Sequence, residues 1–507
     1  MRLFHCTHCG SLVFFDSSEC LACGSALAFD PERLEMMALQ PATDDPTLWE
    51  RLNDVPGSVE SANGSAAAVP APASRFRMCA NREAHNACNF AIPCHDVPQA
   101  AASGEPSPAQ PAPMDGTAGG DAAPDGSTPA PVANAAPMLC VSCEQTRILP
   151  DLSDPDNVRR WTNIEIAKRR LYYSLAQLDI AQIEGEPGPV YEFKADTPEA
   201  PVMTGHDAGV ITLNVAEADD DERTRRRIEL GEPYRTLLGH LRHESGHYYW
   251  DVLVLRGGHV DAYREVFGDE RADYGEALKA HYASAPHTGW QNDFISDYAT
   301  SHPWEDWAET WAHYLHMVDL LETAQSYRTE VAIPGPLGEP RYAMVNPFTE
   351  TVPDFDAMMQ AWVPLTLLLN SLNRSLGQLD AYPFAMGAGV KEKLRFVHAL
   401  VNGQLTPVTQ PVQEDTQQPA ATEAPPLADA PAPADAADVA PPPMVNDAMP
   451  APAMQDGSVP APATQDPAQL AVAQLNDGPV VTQPVDGTAP VPAGNNAPMA
   501  PEPALQK

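Results

Sequence analysis

Two histidines and a glutamate lie within five consecutive residues near the middle of this 507-residue chain, in the segment His243-Glu244-Ser245-Gly246-His247. Residues four apart share a helix face, so the two imidazoles can direct nitrogen atoms at one metal ion. Glu244 lies beside them, where a carboxylate can take a proton from metal-bound water and return it to a leaving amine. The pattern therefore predicts a hydrolytic zinc site with His243 and His247 as ligands and Glu244 as the general base.

A zinc hydrolase needs a third protein ligand and an open fourth position, and the chain offers two candidates for that ligand. Glu305 and Glu309 lie one helical turn apart in a segment that begins at Pro303, a residue typical of helix starts. One glutamate can bind the metal while the other accepts the free ring N–H of a liganding histidine. Capping or helix-face roles explain the other nearby histidines more simply, namely His240, His313 and His316.

The segments that must position these residues have mostly helical patterns. Residues 158–180 carry apolar side chains at helical spacing behind the start signal Asp154-Pro155-Asp156. Two runs rich in β-branched residues, 190–194 and 209–215, predict strands, and we expect the second to pair with an extended substrate. Further helices are predicted over 233–253, 260–282, 303–323, 355–376 and 391–401. The predicted fold class is α+β, a small sheet followed by a mostly helical core.

Eight of the nine cysteines can be grouped into two sets of four. The first set consists of two Cys-x-x-Cys pairs, each followed by a glycine, and its spacing suits one tetrahedral Zn²⁺ with four thiolate ligands. Two disulfides are the alternative, which a chain without a signal peptide disfavours. This set is Cys6, Cys9, Cys20 and Cys23.

The second set is less regular. Cys140 and Cys143 form one clean pair, and their expected partners are Cys79 and Cys88 on the far side of a long insert. Such an insert is tolerable because loop-closure entropy grows only logarithmically with length. Cys94 is then the spare cysteine, and unliganded cysteines are the alternative. Both sets would be structural, since a closed four-thiolate site has no position for water or substrate.

Composition indicates which parts of the chain fold. Asp and Glu number 69 against 30 Lys and Arg, a formal charge of −39 that argues against binding to nucleic acid or anionic membranes. Residues 404–507 hold 22 of the 54 prolines and a single basic residue, so they should be disordered. No apolar run reaches ~18 residues and no secretory signal is evident, which predicts a cytoplasmic protein. The expected organisation is a zinc ribbon (1–30), a linker (31–74), a second four-cysteine zinc module (75–145) interrupted by a disordered insert (95–138), a core (146–403) and the disordered tail (404–507).

The segment 233–317 resembles the gluzincin metallopeptidases, whose third zinc ligand is a Glu on a helix after His-Glu-x-x-His. The resemblance implies a zincin-like core in which Glu305 is the ligand and Glu309 supports the site. Lethal factor-like members place a tyrosine seven residues before that Glu, which implies that Tyr298 stabilises the oxyanion. Tyrosines that compete for this role are Tyr248, Tyr249 and Tyr274.

Most of residues 1–400 resembles a bacterial family described as putative zinc-binding metallopeptidases with an N-terminal zinc ribbon. The cysteine spacing, His243 to Tyr249, 267–274 and 302–316 carry this resemblance. It implies a zinc-dependent peptidase with one catalytic and one or two structural zinc ions, a peptide or protein substrate, and protein partners for the ribbons.

Two other functions compete with this interpretation. One is a non-enzymatic, zinc-stabilised protein-interaction module. The other is a nucleic-acid-associated factor that would use Arg75, Arg77 and Arg82, and the acidic charge makes nucleic acid an unfavoured partner.

Overall fold

The computed structural model describes residues 1–52, 74–95, 138–197, 201–230, 236–284, 288–336, 338–384 and 386–407. The insert predicted over 95–138 and the tail predicted over 404–507 lie outside these ranges except for their ends. Within the described ranges, every helix is too short or too polar to cross a membrane.

Both helices and strands occur in the described residues. The strands are β1 (Phe4–His5), β2 (Leu12–Val13), β3 (Ala26–Asp30), β4 (Glu35–Pro41), β5 (Trp49–Arg51), β6 (Arg75–Met78), β7 (Ala91–Cys94), β8 (Thr146–Ile148), β9 (Val190–Lys194), β10 (Gly205–Asp207), β11 (Val210–Asn214), β12 (Glu330–Ala332) and β13 (Arg341–Ala343). The helices are α1 (Ala80–His85), α2 (Val141–Glu144), α3 (Pro155–Gln177), α4 (Asp220–Leu230), α5 (Leu237–Tyr249), α6 (Val260–Phe267), α7 (Tyr274–Ala283), α8 (Pro303–Ser326), α9 (Phe355–Ser375) and α10 (Ala388–Val401). A π-helical segment, Trp250–Arg256, continues α5.

The two N-terminal cysteine pairs lie on tight turns that glycines close. Gly10 and Gly24 have φ angles of +74° and +73°, in the left-handed region that favours glycine. Their N–H groups donate to the carbonyls of Cys6 at 2.8 Å and of Cys20 at 2.7 Å. The antiparallel pair β1–β2 holds the first turn. The glycine after each cysteine pair is therefore part of the geometry that turns its sulfurs inward.

A five-stranded antiparallel sheet joins the two cysteine-bearing segments, in the order β3-β4-β5-β6-β7. Its strands β4 and β5 lie within residues 31–74, so the prediction of a linker is wrong for the described part of that range. Residues 36–39 at the centre of β4 are apolar and buried, whereas Gln40 and Pro41 at its end are exposed. The two predicted modules consequently share one sheet.

A second sheet of four strands precedes α5, in the order β10-β11-β9-β8. β11 is parallel to β9 and antiparallel to β10, and β8 is parallel to β9. The two predicted strands are confirmed as β9 and β11. The expectation that β11 pairs with a substrate is wrong, because hydrogen bonds to β9 and β10 use both of its edges. β10 is the edge strand on that side of the sheet.

The predicted helices are present, with one division. The segment 260–282, predicted as a single helix, forms α6 and α7, because α6 ends at Gly268 with φ +98°. The side chain of Asp273 then caps α7 by accepting from the N–H of Glu276. α9 continues through Pro364, in agreement with the helix predicted over 355–376.

The helices α5 and α8 pack at very close range at Gly246. A Cβ atom at this position would lie 3.0 Å from Cα of Ala308 and 3.1 Å from Cδ1 of Trp311. Two indoles of α8 also bond to α5: Trp307 Nε1 donates to the Gly246 carbonyl at 2.8 Å, and Trp311 Nε1 donates to Ser245 Oγ at 3.2 Å. Small residues after His243 and Glu244 therefore let the two helices that carry the predicted ligands approach each other.

We expect Gly246→Ala to destabilise the protein. Alanine favours a helix by up to about 1 kcal/mol over glycine, but an added methyl at a well-packed position costs about 1–3 kcal/mol. Chemical denaturation measures the difference. The matched control is Gly275→Ala on α7, where the added Cβ would meet its nearest atom, Asp273 Oδ1, at 3.6 Å. Equal stabilities of the two variants would contradict this account of the α5–α8 contact.

The cysteine-bearing region and the helical core share one hydrophobic interior. Phe4 and Phe15 pack against Tyr173 of α3 with ring centroids 6.1 and 5.5 Å apart. Arg169 of α3, which is buried, donates to the carbonyl of Ala87 at 2.7 Å. α3 also contacts α5, which carries the His-Glu-x-x-His motif, since Arg242 of α5 donates to Ser174 Oγ of α3 at 3.4 Å.

Candidate metal centre

The first four cysteines converge as their spacing predicts. Their sulfur atoms all lie within 4.8 Å of one another. The Cys6–Cys23 and Cys9–Cys20 sulfurs are 3.8 and 3.6 Å apart. A disulfide requires about 2.05 Å, whereas four sulfurs at ~2.3 Å from a tetrahedral zinc are about 3.8 Å apart. The arrangement fits a zinc ion and excludes the disulfide alternative.

The second four cysteines also converge, although a long stretch of sequence separates their halves. Cys79, Cys88, Cys140 and Cys143 are buried, and their sulfur atoms all lie within 4.8 Å of one another. Cys79 and Cys140 each precede a short helix, α1 and α2. Cys88 Sγ lies 3.7 Å from Cys140 Sγ, again a zinc-like separation. Cys94, on β7, belongs to neither group.

The histidines of α5 meet a glutamate of α8. The Thr236 side chain caps α5 by accepting from the N–H of Gly239 at 2.9 Å. His243 Nε2 lies 3.0 Å and His247 Nε2 3.6 Å from Oε2 of Glu305. Nitrogen and oxygen ligands about 2.0–2.2 Å from a tetrahedral zinc are roughly 3.3–3.6 Å apart. The 3.6 Å separation falls in this range and the 3.0 Å separation is shorter, and all three donor atoms lie within 4.8 Å of one another, close enough to bind one metal ion.

The donor atom of Glu305 supports the same fit. Glu305 is 1% exposed, and its Oε2 is buried without a hydrogen-bond partner among the described residues. A buried carboxylate oxygen without a hydrogen bond is costly unless a cation compensates it. Zinc is a cation that suits two imidazoles and a carboxylate.

Glu309 lies on the other side of His243. Its Oε1 is 2.7 Å from His243 Nδ1, and its Oε2 accepts from the Ser296 hydroxyl at 2.7 Å. A carboxylate at Nδ1 keeps the proton on that nitrogen and leaves Nε2 to face Glu305. Of the two glutamates that the sequence left as alternatives, Glu305 therefore has the position of a ligand and Glu309 that of its support.

Burial and nearby charges set the protonation of these groups. Burial lowers the pKa of His247 to about 3, which leaves its imidazole neutral, as a metal ligand must be. Burial favours the protonated form of Glu305, but His247 and His243 outweigh it and lower the pKa of that carboxyl to about 2. His247 is therefore a neutral imidazole and Glu305 a carboxylate over a wide pH range. Burial lowers the pKa of His243, but the contacts with Glu305 and Glu309 outweigh it and raise that pKa.

Glu244 is half-buried beside the ligands and is not one of the three converging residues. Burial raises its pKa, His243 lowers it, and the negative charges of Glu305, Glu217 and Glu309 raise it, so that the resulting pKa is about 7. A carboxyl with a pKa near neutrality can both accept and return a proton. This is the property that the general-base prediction requires.

Two tyrosines flank the ligands. The ring centroid of Tyr298, the residue predicted as the oxyanion donor, is 6.0 Å from that of His243. The Tyr274 hydroxyl instead donates to Oε1 of Glu305 at 2.6 Å. Tyr248 and Tyr249 are buried, and the Tyr249 hydroxyl donates to the Ile180 carbonyl at 2.8 Å.

The three other histidines that the sequence analysis considered, His240, His313 and His316, have partners outside the ligand set. His240 Nδ1 lies 2.5 Å from Oε2 of the buried Glu217. His313 Nδ1 lies 2.8 Å from the Tyr382 hydroxyl, and His316 Nδ1 lies 2.5 Å from Nη1 of Arg242.

Sequence reasoning misses Glu217, Ser296 and the Tyr274 contact, since each is a single residue outside any motif.

The arginines considered for nucleic-acid binding are engaged within the protein. Arg82 donates to the carbonyls of Leu27 at 2.6 Å and Ser18 at 2.9 Å. Arg75 pairs with Asp44 and Glu50, and Arg77 bonds to Thr47. These contacts within the protein weaken the sequence argument that the three arginines bind nucleic acid.

Taken together, the cysteine groups and the two-histidine, one-glutamate site define a zinc-binding protein of mixed helices and sheets. Residues 157–400 match the family model described as putative zinc-binding metallo-peptidase, and residues 3–111 match a zinc-ribbon domain. Uncharacterized proteins of Mycobacterium bovis and Mycobacterium tuberculosis are 34% identical over 406 residues, 79% of this chain and 96% of each relative. No solved structure matches the chain. The chain belongs to this metallo-peptidase family.

Proposed function

We propose that this chain is a zinc-dependent endopeptidase of the gluzincin type. One observation carries the proposal: three donor atoms, Nε2 of His243, Nε2 of His247 and Oε2 of Glu305, lie close together. The third of these atoms is a buried carboxylate oxygen without a hydrogen bond among the described residues. These side chains would hold the metal, and Glu309 would keep His243 in the required tautomer. A zincin-like arrangement of the core belongs to the same proposal.

A zinc ion, when bound, polarises the peptide carbonyl and acidifies water. The chain's own residues then transfer the protons and bind the substrate carbonyl. Glu244 accepts a proton from the attacking water on its carboxylate and delivers it to the nitrogen of the leaving amine. The hydroxyl of Tyr298 donates a hydrogen bond to the carbonyl oxygen as negative charge develops there.

The edge strand β10 is the proposed docking element for an extended peptide. β10 pairs with β11 on one side, and no other strand of the described residues pairs with it. His206 of β10 stacks on His247 at 6.0 Å between ring centroids, so a peptide added along this edge would lie beside the proposed ligands. Main-chain pairing gives affinity with little demand on side-chain sequence.

The two four-cysteine sites are proposed to hold structural zinc. Their sulfurs leave no open position, and the separations above are those of thiolates around a metal rather than of disulfides. Reduced thiolates suit a reducing compartment, so we also propose a cytoplasmic location. Proteins that bind the N-terminal region are the partners to seek.

The test measures hydrolysis by the zinc-loaded full-length chain. An unstructured protein such as casein is the substrate, and mass spectrometry identifies the products. We expect cleavage that dipicolinate abolishes by removing one zinc equivalent, and that one equivalent of added zinc restores. Absence of cleavage by a folded chain that contains three zinc ions would favour the non-enzymatic interaction module.

A further inference from the structure

Tyr274 reaches the metal-binding residues from a helix that lies mostly at the surface. It is the first residue of α7, and Leu278 is the buried residue of that helix. Its ring packs edge-on against His302 and Trp304, with centroids 5.4 and 6.0 Å away, and the residue is 39% exposed. The hydroxyl lies 2.6 Å from Oε1 of Glu305. One hydroxyl of a mostly exposed helix thus donates a hydrogen bond to the carboxylate of Glu305, which is 1% exposed.

The two oxygens of Glu305 have different environments. Oε1 accepts the Tyr274 hydroxyl, whereas Oε2 faces the Nε2 atoms of His243 and His247 and accepts no hydrogen bond from the described residues. A carboxylate can rotate about its terminal bond and can offer either oxygen or both. The bond at Oε1 opposes that rotation and leaves Oε2 as the oxygen directed at the imidazoles.

We propose that Tyr274 is a positioning residue for the metal, which holds Glu305 so that Oε2 is the oxygen offered to the ion. This proposal rests on the metal-binding part of the proposed function and not on peptide hydrolysis. The contact of Tyr298 in the site is with the ring of the ligand His243, 6.0 Å between centroids. Groups that orient metal ligands contribute to metal affinity although they do not touch the metal.

Zinc affinity of the full-length chain tests this role. Dipicolinate removes zinc from the two-histidine, one-glutamate site while the closed thiolate sites retain theirs, and zinc is then titrated back in competition with a fluorescent indicator. We expect Tyr274→Phe to weaken zinc binding about 10- to 100-fold. The matched control is Tyr282→Phe, which removes a hydroxyl from a 63% exposed residue of the same helix and should stay within about twofold of the unmodified chain.

A double-mutant cycle with Glu305→Gln separates positioning from a general loss of structure. If Tyr274 acts through Glu305, Tyr274→Phe should change zinc affinity by less than about twofold in the Glu305→Gln background. An equal loss in both backgrounds, or no loss in Tyr274→Phe alone, would overturn the proposal. Weaker zinc binding in a chain that hydrolyses no peptide would retain the positioning role and refute only the peptidase.

Discussion

Glu244→Gln is expected to reduce peptide hydrolysis by about 10²- to 10⁴-fold while the protein keeps its full zinc content. Glutamine has nearly the shape of glutamate but cannot accept a proton. The environment of Glu244 suits it to this proton transfer, since burial and three other carboxylates together raise the pKa of its carboxyl, against the effect of His243, to about 7. Removal of this group should therefore affect the chemical step and leave metal binding intact.

The measurement is kcat/KM for a casein-derived peptide, with zinc determined by mass spectrometry on the same samples. Glu265→Gln is the matched control, because Glu265 is exposed on α6 and the change in composition is identical. Hydrolysis at the unmodified rate in Glu244→Gln would exclude this residue from the mechanism. Loss of zinc together with activity would instead assign Glu244 a role in holding the metal.

Sequence alone could predict the parts of the site that local geometry determines. The spacing of His243 and His247 places both rings on one face of any α-helix, and the Cys-x-x-Cys pairs define their own turns. The spacing of Glu305 and Glu309 predicts one ligand and one support. Only the packing of α8 against α5 places Glu305 at Nε2 of His243 and Glu309 at its Nδ1.

Features that depend on long-range contacts could not be predicted in this way. β11 has the pattern of a strand, but its position inside the sheet follows from pairing with β10, three residues with no strand pattern of their own. The sequence predicts a linker at β4 for a similar reason, since its partners β3 and β5 are needed to recognise the strand. Tyr274 shares no motif with Glu305, which lies 31 residues further along the chain.

The second four-cysteine group should control the stability of the helical core as well as its own fold. Three consecutive residues illustrate the connection: Ala87 accepts from Arg169, Cys88 belongs to the group, and Asn89 Nδ2 donates to the Phe15 carbonyl at 2.5 Å. The group therefore fixes a segment that contacts both the first ribbon and α3. Loss of its metal should release contacts on both sides.

Cys88→Ser is accordingly expected to remove one zinc ion and to leave the chain largely unfolded or with a strongly lowered thermal midpoint. Structural zinc contributes about 10–16 kcal/mol to the folding of small zinc-bound peptides, which is comparable to the total stability of about 5–15 kcal/mol of most proteins. Zinc content, thermal unfolding and limited proteolysis of the full-length chain measure the effect.

Cys94→Ser is the matched control for that variant. It makes the same sulfur-to-oxygen change six residues away, at a half-buried position on β7 whose sulfur belongs to neither group. We expect it to retain three zinc ions and a nearly unchanged thermal midpoint. If Cys88→Ser retained the same zinc content and stability as Cys94→Ser, the convergence of the four sulfurs would not reflect a metal site.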